Sequence, residues 1–310
     1  MLNYTIKRLI WLIPTLVGVL LLLFSLTYFL PGDPASVMLG PRATPEMAEQ
    51  LNRRLHLDEP IHVRLGYYIW QVFHGNLGKS VWNKEPVLRL IKNAIPHTVT
   101  LTFVSMGWAV LLSVVIGVTA AVFRNTLLDH LITGISLISA SMANFVVACL
   151  ALLFFSVQLH WFPVMGVGES LGGYLYHLVL PSFALGLSWC GYLARLVRDN
   201  TIEVLNSDYI KTAKSFGAPL WYIGKYSLKN AVIPVISVVG LGTGKMLGGT
   251  VFVEMIFVRQ GMGKLITDAV HARDLPIVQG GVFIIAFLYV LINLLADLSY
   301  AVVDPRIQYE

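Results

Sequence analysis

The sequence is poor in charge and contains very little cysteine. Asp, Glu, Lys and Arg make up only 13% of the 310 residues, whereas 56% are hydrophobic and the mean hydropathy is +0.71. This scarcity of charge excludes an ordinary soluble domain and indicates an integral membrane protein. The only two cysteines, Cys149 and Cys190, lie inside apolar runs. We therefore predict no disulfide framework or cysteine metal site, and we expect two small buried side chains.

The sequence also lacks the patterns typical of an enzyme or a nucleotide-binding protein. Its eight histidines are scattered, with neither H-E-x-x-H nor tight ligand spacing. The glycine-rich run Gly240–Met246 departs from a phosphate loop, which would require glycine at Val239 and a hydroxyl residue at Met246. The net charge of +5 forms no basic stripe interleaved with aromatic residues. We predict no catalytic residue, metal site or cofactor on this chain, and no nucleic-acid partner.

Six apolar runs are long enough to span a membrane, since a helix needs about 20 residues to cross ~30 Å of hydrocarbon. They cover Leu9–Leu30, about Thr98–Phe123, Leu131 to about Leu159, about Gly173–Ala194, about Ala231–Phe257, and Ile277–Tyr300. The first run ends in Pro31-Gly32-Asp33-Pro34 instead of a small-residue cleavage site, so we predict an uncleaved span. The expected fold is an all-α membrane protein with six transmembrane helices.

The distribution of Lys and Arg predicts the side of the membrane on which each segment lies. With the N-terminus inside, the short inner segments carry ten basic residues, against three in the short outer ones, namely Arg259, Lys264 and Arg273. The positive-inside rule therefore places both termini in the cytoplasm.

This topology divides the chain into an N-terminal helix (1–30), an extracytoplasmic segment (31–97) and a five-helix core (98–310). The extracytoplasmic segment has helix-compatible spacing over Glu46–Leu55 and His62–Phe73. We expect it to form a small cap after the first helix, which either braces the spans or contacts a soluble partner.

One inner segment, DYIKTAKSFGAPLWYIGKYSLKNAVIPV at 208–235, interrupts the apolar chain with four lysines. It predicts two short helices, because Ser207 or Asp208 can cap the first and Gly217 can end it with positive φ. Pro219 suits the first turn of the second helix, which would continue through Trp221, Tyr222 and Leu228. The apolar face of the first helix would comprise Ile210, Ala213 and Phe216. Lipid head groups alone could also hold such an amphipathic segment.

Landmarks along nearly the whole chain resemble the binding-protein-dependent permeases of ABC importers, in the dipeptide, oligopeptide, nickel and glutathione branch. Lys211-Thr212-Ala213-Lys214-Ser215-Phe216-Gly217 is similar to the E-A-A-x-x-x-G loop signature but lacks its glutamate, and Asn230-Ala231-Val232-Ile233-Pro234 matches the NA-x-x-P ending. The remaining landmarks are Pro31-Gly32-Asp33-Pro34, Leu55–Pro60, His74–Ser80, Trp161-Phe162-Pro163, Gly248–Phe257, Gly261-Met262-Gly263 and Asp304-Pro305-Arg306.

This resemblance implies a type I ABC importer permease fold in the bacterial inner membrane. The implied partners are a homologous second permease, two ATPase subunits that carry ATP and magnesium, an extracytoplasmic solute-binding protein and membrane lipid. The implied cargo is a di- or oligopeptide, or alternatively glutathione or a nickel chelate. The loop at about 199–230 would couple the spans to an ATPase through Asp208, Tyr209, Lys211, Thr212, Ala213, Lys214 and Gly217.

Lys245 stands near the middle of the fifth apolar run, where burial of an unpaired charge is costly. We predict that it faces a water-accessible pathway, with space left by Gly242 and Gly249 on the same helical face. The alternative is a structural ion pair with Asp297 or Glu254. An ion-coupled secondary transporter would also explain this charge, but it would leave the loop landmarks unexplained.

Overall fold

The computed structural model describes residues 2–29, 44, 46–47, 49–50, 59–168 and 170–303. The regular structure of these residues is helical, and their only β-type pairing is an isolated antiparallel bridge between Lys79 and Pro86. The helices are α1 (Leu2–Phe29), α2 (Ile61–Phe73), α3 (Val87–Val122), α4 (Leu127–Ser141), α5 (Asn144–Ala151), a π-helical segment (Leu152–Gln158), α6 (Leu171–Leu205), α7 (Asp208–Ser215), α8 (Leu220–Ile256), α9 (Met262–His271) and α10 (Leu275–Val303).

Four of the described helices are long and apolar enough to cross a membrane: α3, α6, Trp221–Ile256 of α8 and Leu275–Ser299 of α10. α4 passes the same test together with α5 and the π-helical segment, which gives a fifth candidate span. Within α1, Ile10–Ser25 forms a shorter apolar helix. The chain is therefore a membrane-spanning α-helical protein, whereas the number of six spans stays a prediction.

The third apolar run does not form the single helix that its length predicted. Leu127–Ser141 and Asn144–Gln158 are bent by 103° at a short break. The Ser188 hydroxyl lies 2.9 Å from both the Met142 carbonyl oxygen and Asn144 Oδ1, and it donates to one of them at a time. Such a partner matters because a broken helix exposes backbone polar groups that lipid cannot satisfy. The bend is thus supported by a side chain of α6.

The outer-segment predictions have a mixed outcome. The helix predicted over His62–Phe73 is confirmed as α2. Pro31–Pro34, most of Glu46–Leu55 and Asp304–Arg306 lie outside the described residues. The division of the chain at residues 30 and 97 stays a prediction.

The first of two compact units comprises Met1–His97 and Gln260–Val290. Its core includes the buried side chains of Val87, Ile91 and Met262, contributed by α3 and α9. The buried Asp274 carboxylate accepts hydrogen bonds from the Ser80 hydroxyl at 2.6 Å and from the Val81 N–H at 3.0 Å. These bonds fasten the turn before α3 to the segment that joins α9 to α10.

The second unit comprises Thr98–Arg259 and Leu291–Glu310, and α6 is its central helix. α4, α5 and α8 all pack against α6. Gly191 permits the contact with α4, because a Cβ at this position would lie 2.0 Å from Ser139 Oγ. Cys190 is buried as expected, but Cys149 is exposed, so the expectation of two buried cysteines is wrong for Cys149. The reason is that Cys149 lies on a side of α5 that is exposed in the described part of the chain.

Candidate functional site

Ala213 and Gly217, the two residues that match the loop signature, belong to one helix cap. The φ angle of Gly217, just after α7, is +74°. The Ala218 N–H donates to the Ala213 carbonyl at 3.0 Å, and the Gly217 N–H donates to the Lys214 carbonyl at 3.0 Å. These two bonds form a Schellman cap, whose left-handed position favours glycine because a Cβ is strained there. The predicted conformation of Gly217 is confirmed.

The first turn of α7 presents two charged side chains to the surface. Ser207 precedes the helix as predicted, but its hydroxyl donates to the Val204 carbonyl and makes no side-chain cap bond. Lys211 Nζ lies 2.9 Å from Asp208 Oδ1, and the two side chains are 66% and 97% exposed. An exposed pair at this spacing contributes only about 0.5 kcal/mol. Both charges are therefore accessible to a partner at small energetic cost.

The match to NA-x-x-P lies where α7 meets the start of α8. Asn230 Nδ2 donates to the Tyr209 hydroxyl at 3.2 Å, which joins α8 to α7. Asn200 Nδ2 donates to the Ala231 carbonyl at 3.3 Å, which joins α6 to α8. A displacement of α7 would therefore act directly on α8 and, through the bond from Asn200, on α6.

Two details of the predicted loop are wrong. The second short helix is not separate, because α8 runs from Leu220 to Ile256 without a break and carries the loop directly into the fifth apolar run. The predicted apolar face of α7 is also incomplete, since Ile210 is buried but Phe216 is 87% exposed. Phe216 lies at the cap, where the chain turns away from the helix axis.

The exposed surface around the cap combines aromatic and basic side chains. Phe216 is 87% exposed, Trp221 is 69% exposed and Tyr209 is 48% exposed. Lys211 and Lys214 are also exposed. We use the term α7 surface for these residues together with Asp208, Thr212, Ala213 and Gly217. The α7 surface therefore contains every predicted coupling residue.

Lys245 lies on an exposed face of α8. Leu241, Gly248 and Phe252, at i−4, i+3 and i+7 from Lys245, are exposed on the same side. Within the part of the chain that the structure describes, Lys245 has no ion-pair partner. This face holds an accessible positive charge in the middle of an apolar helix.

Neither ion pair considered for Lys245 is formed. Glu254 is fully buried, and its Oε1 accepts a hydrogen bond from the Thr98 hydroxyl at 2.6 Å. Among the described residues, no ion pair is found between Lys245 and Asp297. The structural ion pair thus has no support in the arrangement of α8.

The prediction that Gly242 and Gly249 leave space beside Lys245 is wrong. A Cβ at Gly242 would lie 2.6 Å from a ring carbon of Trp189, and a Cβ at Gly249 would lie 3.2 Å from Asn144 Nδ2. The open position is Gly248, where a Cβ would meet no atom within 4 Å. Successive residues of a helix are rotated by about 100°, so Gly248 and Gly249 face different surroundings.

An ion pair that sequence analysis did not identify joins α4 to α6. Arg198 Nε donates to Asp129 Oδ1 at 2.6 Å, and Arg198 Nη2 donates to Asp129 Oδ2 at 2.8 Å. Asp129 is 2% exposed and also accepts the Asn125 N–H at 3.0 Å. The two partners are 69 positions apart, so local periodicity could not indicate the pair.

Arg259, which was counted among the basic residues of the outer segments, is fully buried. Its Nη1 donates to the His177 carbonyl at 3.3 Å, and its Cζ lies 5.3 Å from the centroid of the Tyr174 ring. Burial lowers the pKa of the Arg259 guanidinium, and Tyr174 and Glu254 oppose this shift. The group stays charged because arginine is not deprotonated in proteins. The one sequence signal for Arg259 was its place between two family landmarks.

Comparison with known proteins agrees with the landmarks. Residues 113–309 match the family described as "Binding-protein-dependent transport system inner membrane component", and residues 1–102 match the N-terminal family of such membrane components. The chain is 39% identical over 311 residues to a glutathione transport system permease protein of Salmonella typhimurium, with 100% of both chains covered.

Two further relatives match over all or nearly all of the chain. One is a glutathione transport system permease protein of Escherichia coli, 38% identical over 311 residues with 100% of both chains covered. The other is named as a peptide transport system permease protein of Brucella abortus, 38% identical over 309 residues with 98% of both chains covered. Since a family match over most of the chain agrees with full-length relatives, this protein belongs to the inner-membrane permease components of binding-protein-dependent transport systems.

Proposed function

We propose that this permease imports short peptides, including glutathione, by ATP-driven alternating access. The support for this cargo class is the full-length similarity to proteins named as glutathione and peptide transport permeases. A nickel chelate carried by the same mechanism is the alternative cargo. Short peptides, glutathione and nickel chelates are all small polar solutes, and each needs a water-accessible route across the apolar spans.

The coupling element is the α7 surface, which docks on an ATPase that is a separate chain. The observation that carries this proposal is the Schellman cap at Gly217, which fixes the end of α7 beside exposed Phe216 and Trp221. The hydrogen bond from Asn230 to Tyr209 then connects the docked helix to α8. Closure of the ATPase would therefore move α8 by a direct mechanical link.

The complete transporter contains this chain, a homologous second permease, two ATPase subunits and an extracytoplasmic solute-binding protein. The chain itself is not an enzyme, and it contributes six spans with both termini in the cytoplasm. The basic residues of the α7 surface support this orientation, because short cytoplasmic segments are enriched in Lys and Arg.

Lys245 is the residue of this chain that lines the route of the cargo. Its exposed position beside Gly248 on α8 supports this role, since an unpaired lysine facing lipid is unfavourable. The ammonium group would attract a cargo carboxylate at the middle of the membrane.

The test is reconstitution of the two permeases in vesicles, with and without the ATPase subunits and the binding protein. We expect ATP-dependent accumulation of a labelled dipeptide or glutathione only when all subunits are present. Separate assays with a labelled nickel chelate identify the alternative cargo. Equal, ATP-independent accumulation by the permeases alone would contradict this mechanism and favour an ion-coupled transporter that uses Lys245.

A further inference from the structure

The edge of the Arg259 guanidinium formed by Nε and Nη2 has no hydrogen-bond partner among the described residues. The side chain itself is fully buried. Nη1 donates to the His177 carbonyl at 3.3 Å, and Tyr174 and the Glu254 carboxylate also interact with the guanidinium. Buried polar groups are normally paired, and it is unfavourable to leave two donors of a buried guanidinium unpaired. The chain retains this unfavourable arrangement in the loop directly after α8.

Arg198 shows what the same edge binds elsewhere in this protein. Its Nε and Nη2 donate to the two carboxylate oxygens of Asp129, at 2.6 and 2.8 Å. This side-on geometry is the preferred way in which a guanidinium binds a carboxylate. The corresponding atoms of Arg259 have no such acceptor. The empty edge therefore has the shape and charge that suit a carboxylate ligand.

The backbone in front of Arg259 is strained. α8 ends in a Schellman cap, in which the Arg259 N–H donates to the Glu254 carbonyl at 2.8 Å and the Val258 N–H donates to the Met255 carbonyl at 3.2 Å. The left-handed position of this cap is Val258, with φ of +49°. A left-handed conformation is unfavourable for a residue with a Cβ, and the corresponding cap of α7 has Gly217 at this position. Strain of this kind is characteristic of functional sites.

The neighbours of Arg259 do not occupy its free edge. Tyr174 presents the face of its ring to the guanidinium, with 5.3 Å between Cζ and the ring centroid. Glu254 directs Oε1 to the Thr98 hydroxyl at 2.6 Å, and it makes no hydrogen bond to Arg259 Nε or Nη2. The guanidinium is thus held by its Nη1 and by the aromatic ring, while the edge that binds carboxylates stays unused.

We propose that Arg259 binds a free carboxylate of the cargo, through Nε and Nη2, when α8 and α6 separate at their outer ends. This inference rests on the proposed function, because it assigns a role at the outer side to a permease for peptides or glutathione. Every such cargo with an unmodified C-terminus carries a carboxylate. Arg259 would meet the cargo at the entrance of the route, before Lys245 at its middle.

The test compares two cargoes that differ only at the C-terminus. Uptake of a dipeptide and of its C-terminal amide is measured at saturating binding protein, with reconstituted wild-type and Arg259→Met complexes. The ratio of wild-type to variant uptake is taken for each cargo, so any preference of the binding protein cancels. We expect the variant to lose roughly tenfold or more of its uptake of the free acid, because hydrogen bonds to a charged group are lost, and less than about threefold for the amide.

Uptake per assembled complex separates ligand binding from a structural role. Glu254 is buried and interacts electrostatically with Arg259, so Arg259→Met is expected to lower the melting temperature whichever role Arg259 has. Arg259→Lys keeps the charge but lacks the two-pronged edge, and it should recover only part of the uptake of the free acid. Lys264→Gln is the matched control, since it removes a basic charge that is paired with Asp268, and it should affect both cargoes equally.

Two results would overturn the role of Arg259. The first is an equal loss of both cargoes in Arg259→Met, because a purely structural arginine does not distinguish a free acid from an amide. If neither variant assembles, a structure of the wild-type complex trapped with the free-acid dipeptide distinguishes cargo binding from a structural role of Arg259. A cargo carboxylate within hydrogen-bond distance of Nε and Nη2 supports the proposal, and an acidic side chain at that edge overturns it. Loss of all ATP-driven uptake in the wild type would contradict the proposed function instead.

Discussion

Arg198 and Asp129 form a two-pronged ion pair that is nearly closed to solvent. Asp129 lies in the first turn of α4, and Arg198 lies seven residues before the end of α6, which leads into α7. The pair therefore fastens the helix that carries the α7 surface to the neighbouring helix α4. A force applied to α7 would reach α4 through this contact, and not only through the apolar packing of the two helices.

Asp129→Asn is expected to destabilise the protein by about 3 kcal/mol, because it leaves Arg198 without its charged partner in a mostly buried site. The measurement is thermal unfolding of the purified complex in detergent. Coupling should weaken as well, so that ATP hydrolysis per molecule of transported cargo increases.

Asp199→Asn is the matched control for this change. Asp199 also contacts Arg198, with 2.9 Å between Asp199 Oδ1 and Arg198 Nη1, and the change removes the same negative charge. The Asp199 side chain, however, is 53% exposed. Exposed pairs contribute at most about 1 kcal/mol. A melting temperature of Asp129→Asn no lower than that of Asp199→Asn would refute the structural role of the buried pair.

Gly217→Val is expected to uncouple transport from ATP hydrolysis while leaving the spans inserted. A Cβ at Gly217 would meet no atom within 4 Å, so the effect comes from the φ angle of +74° and not from a clash. A left-handed conformation costs about 1–2 kcal/mol for a residue with a Cβ. Uptake and co-purification of the ATPase subunits are the quantities to measure.

Gly224→Val is the control for Gly217→Val, because Gly224 is an exposed helical glycine near the start of α8 with nothing within 4 Å of its Cβ position. Valine has a higher helix propensity than glycine, so this variant should assemble and transport normally. Normal uptake and ATPase association by Gly217→Val would show that coupling does not need the cap.

Local sequence signals predicted the parts of the site that depend on backbone conformation. Gly217 followed by Pro219 indicated the end of one helix and the start of the next, and the cap confirms this. The same signals could not show that α8 continues unbroken from Leu220 into a membrane span, because several polar and basic residues precede the apolar run. Phe216 was placed on an apolar face by periodicity, but the turn at the cap exposes it.

Features that depend on distant residues escaped prediction. The bend in the third apolar run is supported by Ser188, 44 positions from Asn144, and no local pattern connects the two. Arg259 was counted among the basic residues of the short outer segments, and no local pattern indicated that it is buried. Its burial depends on the packing of α6 against α8, because its neighbours Tyr174 and His177 belong to α6.

Gly191→Ala is expected to weaken the packing of α4 against α6. The new Cβ would lie 2.0 Å from Ser139 Oγ and 2.4 Å from the Ser136 carbonyl oxygen. The hydroxyl can rotate away, but the carbonyl belongs to the backbone, so the helices must separate at a cost of about 1–3 kcal/mol. The same change at Gly134 of α4, where nothing lies within 4 Å, is the control. Equal melting temperatures of the two variants would contradict this account of the contact.

Lys245→Met is expected to reduce uptake of anionic cargo by roughly tenfold, because it removes a charged hydrogen-bond donor while keeping much of the side-chain length. Assembly with the ATPase subunits should be unchanged, since Lys245 has no ion-pair partner among the residues that the structure describes.

Lys245→Arg should transport almost normally, because a pathway that attracts a carboxylate by charge tolerates either cation. The role proposed for Arg259 differs, since it requires the two donors Nε and Nη2. Uptake of an anionic and a neutral cargo is measured for each variant, alongside the amount of assembled complex. Normal uptake of the anionic cargo by Lys245→Met would exclude the pathway role. Failure of that variant to assemble, with rescue by Asp297→Asn, would instead establish an ion pair that forms in another state of the transport cycle. The two lysine variants therefore distinguish an electrostatic role in the pathway from a structural role in the assembled transporter.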